Sequence, residues 1–77
     1  MQAFYEIWDA GTGNRVGGAV ATEAEAEAVL ADILRVNGEN AVSEMAVLAC
    51  CPNAEGKIRR RTVLEGVDFV ARHATFA

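Results

Sequence analysis

The stretch that most restricts how this chain can fold is residues 22–38, TEAEAEAVLADILRVNG, which carries the full set of signals for one capped amphipathic helix. Thr22 is a good N-cap, because its hydroxyl can accept from an orphan amide of the first turn, and Glu25 three residues on completes a capping box. Glu23, Glu25 and Glu27 crowd the positive end of the helix dipole, and Arg35 sits near the negative end. Ala26, Val29, Leu30, Ile33 and Leu34 recur at spacings of three and four, which makes one apolar stripe. Gly38 suits the position just past the end. Burying a single stripe does not offset the entropy of ordering so much backbone, so this helix requires a sheet to lie on.

The flanking residues supply one. Residues 4–9, FYEIWD, are aromatic and β-branched and read as a first strand, followed by a glycine- and asparagine-rich turn over 10–14. A second strand returns over 15–21, where the Gly17-Gly18 pair predicts a bulge or a close backbone approach. After the helix a third strand is expected over 42–51, a turn over 52–56 and a fourth strand over 57–64. Val67, Val70, Ala71 and Ala74 then have helical spacing, with Asp68 early and Arg72 and His73 late, which predicts a short second helix. The expected order is ββαββ with a terminal α. It is an α+β fold of two layers, a four-stranded and mainly antiparallel sheet with the long helix packed on one face. Seventy-seven residues are read as a single domain, 1–77, small enough to bury only about 60 % of the surface of its unfolded chain.

The period of two assigns the faces. In the first strand Tyr5 and Ile7 share one side, and Phe4, Glu6 and Trp8 the other. Glu6 is expected to stay in water, which turns its face away from the helix. The third strand divides into Ser43, Met45, Val47, Ala49 and Cys51 against Val42, Glu44, Ala46, Leu48 and Cys50, with the second set outward by the same marker. A face that ought to be wet therefore carries Phe4, Trp8, Val42 and Leu48. Such a patch points to an interface, with a second copy of the chain or with a protein partner. Two alternatives compete: the terminal segment with Phe69 and Phe76 folds over this face, or Trp8 is a scattered surface aromatic.

Residues that could carry chemistry are few. Gly11-Thr12-Gly13 and Gly17-Gly18 lie between two strands rather than between a strand and a helix, so no nucleotide loop or other cofactor motif is expected. Cys50 and Cys51 are adjacent and point to opposite faces, and with a single histidine, His73, they do not make a metal site. Cys51 is expected as a small inward hydrophobe. No third group completes a nucleophile–base pair, and no two carboxylates have environments that would separate their pKa values, so catalysis is not expected.

Charge is segregated. Residues 1–56 set nine acids against Arg15 and Arg35; residues 57–77 set two acids against Lys57, Arg59, Arg60, Arg61 and Arg72. Lys57, Arg59, Arg60 and Arg61 could meet an anion or the phosphates of a nucleic acid, Arg59 and Arg61 from one face and Arg60 from the other. The net charge of −4 argues the other way. Guarding an edge strand, or pairing with the acidic helix, is the preferred role for these arginines. No apolar run is long enough to span a bilayer and no secretory leader opens the sequence, so a cytoplasmic protein is expected.

Tyr5-Glu6-Ile7-Trp8-Asp9, Thr12-Gly13-Asn14, Thr22-Glu23-Ala24-Glu25-Ala26 and Glu55-Gly56-Lys57-Ile58 together resemble small bacterial ββαββ proteins of unassigned function. The strand-turn-strand-helix beginning is also distantly similar to HicB-type antitoxin domains. That similarity implies a dimeric, partner-binding module, although the Pro-Gly-Cys segment of those domains is absent here and no functional residue carries over. The expected function is non-catalytic association through the outer sheet face, with a nucleic-acid-linked regulatory module using Arg59, Arg60 and Arg61 as the alternative.

Overall fold

The structure, a computed structural model, describes residues 2–74. The chain runs β1 (Phe4–Asp9), β2 (Asn14–Val20), α1 (Glu23–Asn37), α2 (Glu39–Ser43), β3 (Met45–Pro52), β4 (Ile58–Glu65) and α3 (Gly66–Ala74). The four strands form one antiparallel sheet in the order β2-β1-β3-β4, so β1 and β3, one from each hairpin, are central and β2 and β4 are edges. The ββαββ(α) expectation holds, with one helical turn added.

α1 begins and ends where its caps require. The Thr22 hydroxyl accepts from the Glu25 amide at 3.1 Å, and the Gly38 amide donates to the Leu34 carbonyl at 3.0 Å. From its stripe Ala26 and Leu30 are buried completely and join Ile7, Val47, Leu64, Phe69 and Val70 in one core. Every member of that core comes from a helix or from the sheet face beneath the helices.

Two irregularities keep the faces in phase. β2 takes up extra residues around Gly17 and Gly18, between the Tyr5–Val20 and Ile7–Val16 pairs, with Gly17 at φ 68°. In β4, Thr62 pairs with Leu48 but Leu64 pairs with Val47. Val63 is therefore an inserted residue, and Leu64 turns to the helix side while Thr62 keeps the opposite one. Without that bulge Arg60, Thr62 and Leu64 would share a face.

The third strand is shorter than the sequence predicts, and Val42 is the casualty. It belongs to α2 and is 0 % exposed in the core, so it cannot line an outer sheet interface. The reason is local: past Gly38 the chain winds one more turn before Glu44 hands it to β3, its carbonyl accepting from the Ala10 amide at 2.7 Å.

Gly66 marks the other close approach. It is buried where β4 passes into α3, and a Cβ there would fall on the Val42 carbonyl oxygen and crowd that of Met45. Its lack of a side chain is what lets α3 fold straight back against α2. With Phe69 2 % exposed inside the core, α3 lies on the same side of the sheet as α1. Phe69 is thus not a cover for the outer face; Phe76, the other residue expected in that role, lies outside the described residues.

Candidate functional site

All three helices being on one side, the opposite face of the sheet has no covering element among the described residues. The register places Phe4, Glu6 and Trp8 of β1 on it beside Ala46, Leu48 and Cys50 of β3, with Arg15 of β2 and Arg60 and Thr62 of β4 on the flanks. Phe4, Trp8 and Leu48 are each part-exposed. The sequence assigned all three to this face, and the fold brings them together.

The centre of the face departs from expectation. Glu6 does point away from the helices, but it is not in water: it is 2 % exposed, the one buried charged residue among those described. A buried carboxylate is costly unless it is paired and its lone pairs are used. Here Arg60 Nε donates to Oε1 at 2.9 Å, the Trp8 indole N–H donates to the same oxygen at 3.0 Å, and Arg15 Nη1 donates to Oε2 at 3.0 Å. No buried side-chain oxygen or nitrogen among the described residues lacks a partner. The Arg60 hydrogen bond, aided by those of Trp8 and Arg15, outweighs burial and lowers the Glu6 pKa from 4.5 to about 2. Glu6 is therefore ionised throughout the physiological range, clamped from both edges of the sheet.

Cys50 sits in register between Phe4 and Arg60 and is fully buried, and burial together with the nearby Glu6 carboxylate pushes its thiol pKa up. It is a protonated packing residue in the floor of this face. Cys51, expected to be the inward hydrophobe, faces the helix side but is exposed. The correction has a simple cause: near its tip the β3–β4 hairpin leaves the helices behind.

The basic run does not act as one patch. Arg60 is committed to Glu6 on the outer face, while Arg59 and Arg61 stand on the helix side opposite Cys51 and Ala49. The acidic helix reaches a different arginine: Glu27 pairs with Arg72 of α3 at 3.3 Å. β4 is an edge strand, as edge protection requires, and the Asn53 side chain closes its hairpin by accepting from the Glu55 and Lys57 amides.

Among the described residues no three His, Cys, Asp or Glu side chains gather where they could hold a metal ion, and no helix is long and apolar enough to cross a membrane. Comparison of the chain with protein-family models, with curated proteins and with solved structures finds no match.

Proposed function

We propose that this protein works by association, and that the outer face of its sheet receives a second copy of the same chain. The observation that supports this reading is a sheet face without a covering layer among the described residues, on which Phe4, Trp8 and Leu48 surround an acid that is already paired. Covering such a face removes apolar surface from water without leaving the Glu6 carboxylate unpaired, because Glu6 takes its hydrogen bonds from its own chain, while the half-exposed Arg15 and Arg60 keep their remaining charge at the flanks of the face. A two-fold arrangement of one self-complementary patch is the commonest way to fill it. A protein partner of different sequence is the other occupant of the same face, and no catalytic step is assigned to it.

Trp8 is the single tryptophan, so its fluorescence reports on this face alone. Dilution through the dissociation range should shift the emission to longer wavelength as the indole returns to water. An emission maximum unchanged from high to low concentration, in a sample that dissociates over that range, would place the contact elsewhere.

A further inference from the structure

Of the six arginines, four are in ion pairs: Arg15 and Arg60 with Glu6, Arg35 with Asp32, and Arg72 with Glu27. Arg59 and Arg61 are the exceptions, having no carboxylate partner among the described residues. In a chain with eleven acids and seven basic residues, unpaired arginines are not explained by a shortage of partners. The two are also neighbours. They project from one face of β4 two residues apart, at about 7 Å along the strand, close enough for both guanidinium groups to converge on one small anion. Opposite them in register lie Cys51 and Ala49, short side chains that leave a depression where long ones would fill it. The resulting open cavity, about 390 Å³ and lined by Ala49, Cys51 and Arg59 to Arg61, is at the small end of the range for small-molecule sites.

We propose that this depression binds a small phosphate monoester. Its phosphoryl group would lie between the Arg59 and Arg61 guanidinium groups and its apolar remainder over Ala49 and Cys51. A phosphate monoester carries close to two charges and three terminal oxygens, enough to engage two guanidinium forks, whereas a carboxylate has one charge and two oxygens to divide between them. Arg60 takes no part through its side chain, which is held by Glu6 on the other face. The site is thus independent of the outer face and stands whether or not the chain dimerises.

The test is a titration of the full chain, with amide and arginine Nε NMR resonances as the readout, using phenyl phosphate, benzoate and a short single-stranded oligonucleotide as probes. Phenyl phosphate should give saturable shifts at Ala49, Cys51, Arg59 and Arg61, with benzoate binding more weakly. R59Q/R61Q should weaken phenyl phosphate binding by about tenfold or more, as expected for losing charge-assisted hydrogen bonds, while K57Q leaves it unchanged. Both variants alter exposed side chains, so their spectra should otherwise match that of the parent chain. Non-saturable shifts, or equal binding by R59Q/R61Q, would overturn the proposal. Preferred binding of the oligonucleotide, with a salt dependence that K57Q also reduces, would overturn it in favour of a nucleic-acid backbone.

Discussion

The two faces of this sheet bury their centres by opposite means. On the helix side Ile7 and Val47 disappear under Leu30 and Phe69, and nothing more than shape is needed. On the other side, one residue along β1, Glu6 is equally hidden, but its cover is made of two arginines and an indole. Apolar burial is finished once the layer is packed, so the helix side is a structural core. The charged centre is satisfied only by fixed directional partners, Arg15 and Arg60, whose side chains remain about half-exposed, 49 % and 41 %. That arrangement leaves apolar rings at the surface around a charge that is already paired. It is why the outer face, rather than the better-packed one, is the candidate for binding.

The sharpest way to break the comparison is at Gly66, where the helix layer is closed. Gly66→Ala should cost at least about 4 kcal/mol or prevent folding, because the new methyl meets backbone rather than a movable side chain. Chemical unfolding followed by circular dichroism measures it, and a loss below about 1 kcal/mol would show that α3 packs less tightly than described. Next comes a matched pair of truncations, one from each face. Leu30→Ala should cost about 2–5 kcal/mol and leave any association intact, whereas Leu48→Ala should cost under about 1 kcal/mol in the monomer and weaken self-association. Equal losses of stability would erase the distinction between core and interface.

The smallest effect is electrostatic. The folded chain holds Glu6 near a pKa of about 2 against 4.5, so on acidification the unfolded chain takes up the proton first. The stabilisation is complete above about pH 4.5 and is lost as the pH falls from there to about 2. It amounts to about 1–3 kcal/mol, the lower part of the range allowing for solvent screening of the half-exposed arginines. Urea unfolding across that interval should show a shallower decline for Glu6→Gln than for the parent chain. Parallel curves would mean that Arg15 and Arg60 do not hold the carboxylate.

How far the sequence could be read depended on the range over which each signal acts. The capped helix was legible because Thr22, Glu25 and Gly38 act within a few residues of one another, and the sheet faces because a period of two needs no knowledge of partners. α2 was missed because five residues make little more than one turn, while Val42, Glu44, Ala46 and Leu48 alternate as a strand would. Polarity placed Glu6 on the correct face and misjudged its exposure, because its cover comes from Arg15, nine positions away, and Arg60, fifty-four away. The exposure of Cys51, on the helix side as its alternation predicts, escapes local reading for the same reason. Where the helices stop above the β3–β4 hairpin is a tertiary fact with no local marker.

The most direct test of association through the outer face is the solution mass by light scattering on a sizing column, over a range of loading concentrations, for the parent chain and for Trp8→Glu. The expected result is a mass approaching twice that of the monomer at high concentration, reduced to the monomer by Trp8→Glu with the circular dichroism spectrum preserved. A parent chain that stays monomeric at the highest concentration, or a dimer that Trp8→Glu leaves intact, would contradict it.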